Sequence, residues 1–325
     1  MKGIQLTAYG DPAEVVKLVD APDVGAPSSD EVVIEIEAAP VEPSDLYTIA
    51  GIYGILPPLP HFLGIQGVGR VSAAGRNVKH LKEGDRTITP LFTPSWVDRV
   101  KTNSPWLRPL PDGNIHQLAM LGINPATAYL MLTEFVKLKA GDWLLQNAAN
   151  SSVGRAVIAI AKARGIRTVN FVRRADLVNE IKALGGDVVL VDGEDVPKRV
   201  AQTTDKAPIR LALDGVGDSA TQKFLDAIAP FGTVIVWSAM SGKPFSVFGP
   251  PLLFRDQTIR GMWIHNWYEV LSPEKLTAMY AELAPLVVSG ELSFPVAGQF
   301  GFSRYLDALT VAGRYSGKAI LTPNS

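Results

Sequence analysis

The chain has 325 residues, 47% apolar and 19% charged, with a formal net charge of −1. That length suits two domains rather than one small core, and the composition is that of a folded chain, not a disordered one. The near-zero charge leaves no field to draw nucleic acid or an anionic membrane, and the complete lack of cysteine excludes disulfides, thiolate metal sites and cysteine nucleophiles.

The opening MKGIQLTAYGDPAEVV has no long apolar run with a small-residue cleavage site, and no uninterrupted apolar stretch of the chain is long enough to span a bilayer. The expectation is a cytoplasmic protein with no membrane partner. Residues 1–115 read as β-rich. Val32 to Ala38 alternates apolar and acidic side chains, the pattern of a half-buried strand. Dense glycine and proline follow, as in GIYGILPPLP (51–60), with short strand candidates at Val68 to Val71 and Arg86 to Pro90. Asp45 and Asp85 lie in turns and are expected to cap backbone groups. His61, His80, His116 and His265 show no metal-ligand spacing.

The character changes near residue 120. Ala126 to Lys137 has a helical period. Strand and helix then alternate: Trp143 to Ala148, Val153 to Arg164, Thr168 to Val172, Asp176 to Leu184, Val188 to Val191, Leu211 to Leu213, Ala220 to Ala229 and Thr233 to Trp237. Such alternation predicts a doubly wound parallel sheet. A helix from Pro273 to Val288 and a strand-like Lys318 to Leu321 close the chain. The expected organisation is α/β: a β-rich domain begun by residues 1–120, an inserted nucleotide-binding domain at 121–261, and a return to the first domain at 262–325.

The segment WLLQNAANSSVGRAVIAIA (143–161) runs from a buried strand through small residues into an amphipathic helix. That arrangement aims backbone N–H groups and the positive helix end at a diphosphate. It is not a G-x-G-x-x-G turn; small residues stand at Ala148, Ser151 and Gly154, and Asn147, Asn150, Ser151 and Ser152 bring polar groups with no evident packing role. A plain strand–helix connection is the alternative. GIQGVG (64–69) mimics a glycine fingerprint but continues into strand-like RVSAA, and reads as a tight turn of the β-rich domain. The next strand ends in FVRRAD (171–176), where NAD-binding folds usually carry an acidic residue for the ribose. Arg173 and Arg174 there suit a 2′-phosphate, which favours NADP(H) over NAD. Two solvated surface arginines are the alternative, and Asp176 keeps an NAD reading open.

These residues resemble the medium-chain dehydrogenase/reductase superfamily, and more closely its mitochondrial 2-enoyl thioester (trans-2-enoyl-CoA) reductases. The resemblance is carried by YGDPAEVVKL (9–18), APVEPSDLYTIAGIYGILPPLP (39–60), GVGRVSAAGRNVKHLKEGD (67–85), INPATAYLML (123–132), QNAANSSVGRAVIAIAKARGIRTVNFVRR (146–174), PLLFRDQTIRGMWIHNW (251–267) and KAILT (318–322). It implies a Rossmann domain inserted in a GroES-like catalytic domain. Where zinc alcohol dehydrogenases hold their metal with Cys and a Gly-His-Glu, this chain has Glu42 and Gly64-Ile65-Gln66, so the resemblance implies no metal.

The resemblance also assigns roles. Tyr53 becomes the proton donor; by its residues alone, a loop tyrosine beside Gly54 would be a half-buried packing group. Asn124 would lie beside the cofactor. Asn150, Ser151, Ser152 and Val153, with Gly154 behind them, would bind the diphosphate, and Arg173 and Arg174 the 2′-phosphate. Trp237, Ser238, Ala239 and Met240, with Met262, Trp263, Ile264 and His265, would line the nicotinamide side, and Lys318 would reach the cofactor. WSAM and MWIH depart from the family's side chains, which bears on acyl specificity. His265 fits cofactor contact and plain packing equally, His61 fits a structural role better than the edge of a substrate pocket, and Tyr129 falls on an apolar helical stripe and reads as core. The implied reaction is NADPH-dependent reduction of the double bond of a 2-enoyl thioester, by a homodimer acting on a small-molecule substrate. A zinc-free NADPH:quinone oxidoreductase and a non-catalytic NADPH-binding protein are the competing readings.

Overall fold

In a computed structural model describing residues 1–314 and 317–323, the chain divides into two units, Met1–Ile123 with Tyr268–Ser325, and Asn124–Trp267. The first stretch carries β1 (Lys2–Leu6), β2 (Val16–Asp20), β3 (Val32–Pro40), β4 (His61–Phe62), β5 (Val68–Ala74), β6 (Arg86–Ile88) and β7 (Arg99–Thr102). The inserted unit carries β8 (Trp143–Gln146), β9 (Arg167–Val172), β10 (Val188–Val191), β11 (Leu211–Asp214), β12 (Thr233–Val236) and β13 (Thr258–Gly261). The chain then adds β14 (Val296–Gly301) and β15 (Lys318–Thr322).

In the first unit, the alternation of VVIEIEA makes β3 a hub. Ile34 and Ile36 are buried while Glu35 is exposed, the two-residue period of a pleated strand. β3 pairs antiparallel with β5, β7 and β15, and β14 lies parallel beside β15. The C-terminal strand therefore enters the same sheet as β3, with Leu321 opposite Ala39. A separate sheet runs β2-β1-β4. Asp85 accepts from Lys82 N at 2.9 Å, a turn cap as expected.

The inserted unit is a six-stranded, all-parallel sheet in the order β10-β9-β8-β11-β12-β13. Every residue of β8 is buried, as a parallel strand covered on both faces must be. One face packs Leu145, Phe171, Ala212, Phe224 and Val234, and the other Ala149, Ile158, Val172, Ile181 and Val189. β13, an exposed edge strand, has too little alternation to be read from the sequence.

Two local expectations are corrected. The helix at Ala126 to Lys137 is Asn124–Thr133 and stops early. Beyond it Phe135 leaves the helical path to pack on Trp267 at 5.4 Å, beneath the Arg260 guanidinium at 4.7 Å. Tyr129 is half-buried under Arg164, 4.8 Å from the ring centre, rather than core. Among the described residues no helix is long and apolar enough to cross a membrane.

Candidate active site

In the inserted unit, β8 ends at Gln146 and the Ser152–Ala163 helix begins six residues later. Ala148 turns the chain at φ +49°, and Ser151 N returns to Ala148 O at 2.9 Å. Ser151 caps the helix, its hydroxyl accepting from Gly154 N at 3.1 Å. Only glycine fits at 154: a Cβ there would stand 2.6 Å from Ala148 O and 2.7 Å from Ala149 Cα. The helix start is thus pressed against the turn, which lies at the helix's positive end. Arg155, almost wholly buried, donates to Asn150 O at 3.1 Å and pairs with Glu180, fixing the turn from below.

The polar groups of this turn are not all spare: two of the four have structural partners. Asn147 is buried, donating to Asp214 Oδ1 at 2.7 Å and accepting from Gly215 N at 2.8 Å. Asp214 also accepts from Val216 N, Gly217 N and the Thr221 hydroxyl. Asn147 and Ser151 therefore build the turn, while Asn150 is exposed and Ser152 half-exposed. The role of Asp214 was missed; an Asp ending a buried strand just before Gly-Val-Gly was the available signal.

Arg173 and Arg174 follow β9 and are exposed. Arg174 lies 3.3 Å from Asp176, both 68% exposed, a pairing that binds the arginine only weakly. Trp237, Ser238, Ala239 and Met240 follow β12, with Met240 N on Gly215 O at 3.1 Å. Met262 follows β13 and donates its N–H to Val236 O at 2.9 Å. Met262 and Ile264 are buried, while Trp263 and His265 contact each other at 4.9 Å between ring centres. The expected cofactor residues of this unit other than Asn124 thus gather past the carboxyl ends of parallel strands, where open α/β sheets bind ligands. Asn124 is buried and opens the Asn124–Thr133 helix.

In the first unit, Tyr53 is half-buried and follows directly on the cap of the Pro43–Ile49 helix. Gly51 takes φ +74°, Gly51 N returns to Thr48 O at 3.0 Å and Ile52 N to Tyr47 O at 2.9 Å, the closed C-terminal cap that glycine permits. The Tyr9 hydroxyl donates to Pro57 O at 2.5 Å and ties down the far side of the Tyr53 loop. His61 sits in β4, and burial holds its imidazole below its ordinary pKa.

The same helix begins in a buried polar cluster. Glu42, which stands where zinc alcohol dehydrogenases have their Cys, and Gln66, which stands where they have the Glu of Gly-His-Glu, are 2% and 1% exposed; the His position is Ile65. Gln66 Nε2 donates to Glu42 Oε1 at 2.8 Å, and the Lys318 ammonium donates to Glu42 Oε2. Lys318, expected to reach the cofactor, is buried with its ammonium paired to the Glu42 carboxylate. Asp45 accepts from Glu42 N at 2.8 Å through one oxygen, and its other oxygen is buried without a hydrogen-bond partner. Burial pushes the Asp45 carboxyl well above the usual carboxylate range, and the adjacent Glu42 charge adds to the rise. This donor set does not fit zinc: it has no thiolate and no imidazole, and an ammonium lies against its carboxylate. Among the described residues no group of three or more His, Cys, Asp or Glu stands together as a metal site.

Residues 28–144 match the alcohol dehydrogenase GroES-like domain and residues 152–282 the zinc-binding dehydrogenase domain. With the fold above, this defines a medium-chain dehydrogenase/reductase, one that has Glu42, Ile65 and Gln66 where zinc-bearing members have Cys, His and Glu. Within that class the chain belongs to the enoyl-acyl-carrier-protein reductase family. It is 36% identical to the mitochondrial enoyl-acyl-carrier-protein reductase of Mus musculus, over 97% of this chain and 86% of that protein. A mutant form of the enoyl thioester reductase of Candida tropicalis shares the fold at a TM-score of 0.86 and 23% identity, covering 99% of each chain. The quinone oxidoreductase of Pseudomonas syringae pv. tomato superposes at a TM-score of 0.84 with 29% identity, again over 99% of each chain.

Proposed function

We propose that this chain is an NADPH-dependent reductase of the carbon–carbon double bond of 2-enoyl thioesters. The observation that carries the reading is its 36% identity, across nearly its whole length, to an enoyl-acyl-carrier-protein reductase. The pressed turn before Ser152 fits a diphosphate, and the exposed Arg173 and Arg174 fit a 2′-phosphate. Asn150, Ser151, Ser152 and Val153 hold the first through backbone and hydroxyl donors. The segments 237–240 and 262–265 border the nicotinamide, and Asn124 steadies it. NADPH, when bound, supplies the hydride that the β-carbon accepts. Charge then builds on the thioester oxygen as an enolate, and Tyr53 delivers its hydroxyl proton to the α-carbon.

Quinone reduction is the second reading, favoured by the 29% identity to a quinone oxidoreductase of the same fold. It needs no acid at position 53. NADPH oxidation measured against a series of enoyl thioesters and a panel of quinones decides between them. Turnover of quinones alone would replace the first reading with the second, and tight NADPH binding with neither turnover would leave a non-catalytic binder.

A homodimer through the edge of the inserted sheet belongs to the same proposal. β13 ends the sheet order and is mostly exposed, and Phe231, Leu253 and Phe254 are 77%, 70% and 82% exposed. Phe231 N donates to Arg255 O at 2.9 Å, which joins Phe231 to the end of the segment that carries Leu253 and Phe254. Large apolar side chains gathered at a free edge mark an interaction surface. A monomeric mass in sedimentation at micromolar protein would defeat this. The cytoplasmic placement likewise stays a proposal, since the murine relative is mitochondrial; fractionation of the source cells reads it.

A further inference from the structure

Gln66 lies in GIQGVG, a stretch that reads as no more than a turn, yet its amide joins two arms of the first unit. Nε2 donates to Glu42 Oε1 at 2.8 Å, and Oε1 accepts from Ile123 N at 2.9 Å. Ionised Glu42 can only accept and a backbone N–H can only donate, so the amide has one workable orientation. An ionised glutamate could not donate to Glu42, and a hydrocarbon could make neither bond. Glu42 opens the Pro43–Ile49 helix, whose closed cap delivers the chain into Tyr53. Ile123 is the residue before Asn124. Its segment is a firm anchor, because Gly122 O accepts from the Tyr280 hydroxyl at 2.8 Å and the Tyr268 hydroxyl at 3.3 Å. Lys318 balances the Glu42 charge.

We propose that Gln66 is a positioning residue for proton delivery: its amide fastens the base of the Tyr53 arm to the segment ending at Ile123. A neutral amide stands where zinc-bearing members of the class have the Glu of Gly-His-Glu. The inference rests on Tyr53 being the donor. Gln66 touches no substrate and acts through the helix that carries Tyr53, so it should govern the chemical step and not cofactor affinity. An ordinary core glutamine would affect stability alone.

The test is a swap. Gln66→Glu sets two carboxylates against each other. Gln66→Glu with Glu42→Gln regenerates the whole set: the residue-42 amide accepts from Lys318 and donates to residue 66, which accepts from Ile123 N. Steady-state kcat with crotonyl-CoA, NADPH affinity and thermal melting are measured for each, alone and combined with Tyr53→Phe. The single change should lower kcat by about 10–100-fold, as small misplacements of catalytic groups do, with NADPH affinity kept. The swap should recover most of it. Combined with Tyr53→Phe, Gln66→Glu should lower kcat by less than about threefold further, since groups acting as a unit are non-additive. An unchanged kcat in Gln66→Glu, a folded swap that stays inactive, or an equal loss with and without Tyr53→Phe would each overturn the proposal. Should Gln66→Glu not fold, the swap alone decides, active or inactive. Unchanged turnover in Tyr53→Phe by itself is a separate result, and removes the donor reading on which this one stands.

Discussion

The turn before Ser152 and the cluster around Glu42 solve different problems with different materials. The turn is local and made mostly of backbone: Ala148, Ser151 and Gly154 lie within one strand–helix connection. The cluster is made of side chains brought from afar, Gln66 at 24 residues and Lys318 at 276 residues from Glu42. A backbone-built surface tolerates side-chain change so long as the small residues stay. A buried side-chain network tolerates almost none, because each member satisfies another. The contrast separates binding from chemistry: side-chain changes on the first unit should alter turnover, and changes on the inserted unit should alter affinity.

The largest effect tests the first half of that statement. Tyr53→Phe removes one oxygen and keeps the ring, and thioester turnover should fall by about 10²–10⁴-fold, the range for losing a general acid. NADPH affinity and quinone turnover should hold, read in parallel assays. A fall in NADPH affinity of similar size would erase the division. The second half rests on Arg173 and Arg174. Changing both to Ala should weaken NADPH binding by about 10–100-fold, the worth of lost charge-assisted hydrogen bonds, with NADH binding and saturated kcat unchanged. Equal affinity of the unmodified protein for NADPH and NADH, by fluorescence titration, would refute it.

The smallest effect isolates stability within the cluster. The Asp45 carboxyl is held above its unfolded value by burial. The folded state therefore keeps a proton that the unfolded chain releases at an ordinary carboxylate pKa of about 4. The associated stability is full below that pKa and is lost as pH rises toward the folded value. Asp45→Asn removes the titration while an amide oxygen still accepts from Glu42 N. Its melting temperature relative to the unmodified protein should rise between pH 4 and pH 8 by roughly 2–4 °C, the shift of about 1 kcal/mol in a domain of this size. A pH-independent difference would mean that Asp45 ionises normally.

The same division explains what was legible before the fold was known. The helical period of Val153 to Arg164 and the short runs at Val188 to Val191 and Thr233 to Trp237 announce themselves because neighbours in sequence set them. The early end of the helix at Thr133 could not be read, because Phe135 is drawn out by Trp267 and Arg260, far along the chain. The pairing of β1 with β2 hides in short segments whose register only a partner fixes. At the site, Arg173, Arg174 and the small-residue turn were visible as chemistry. Gln66 and Asp214 were not, because a buried polar residue takes its meaning from partners that the linear order conceals.

The Glu42–Gln66–Lys318 cluster has one more consequence. Conjugated thioesters, the proposed substrates, are Michael acceptors, which alkylate thiolates and free amines. A centre that held its metal by cysteine would offer such a substrate a soft nucleophile whenever the metal left. Here the position matched to that cysteine is the Glu42 carboxylate, hydrogen-bonded to the Gln66 amide, the nearby lysine nitrogen is engaged by the same carboxylate, and the chain has no cysteine anywhere. The replacement of metal ligands by this network leaves the protein without a thiol for its own electrophilic substrate to consume.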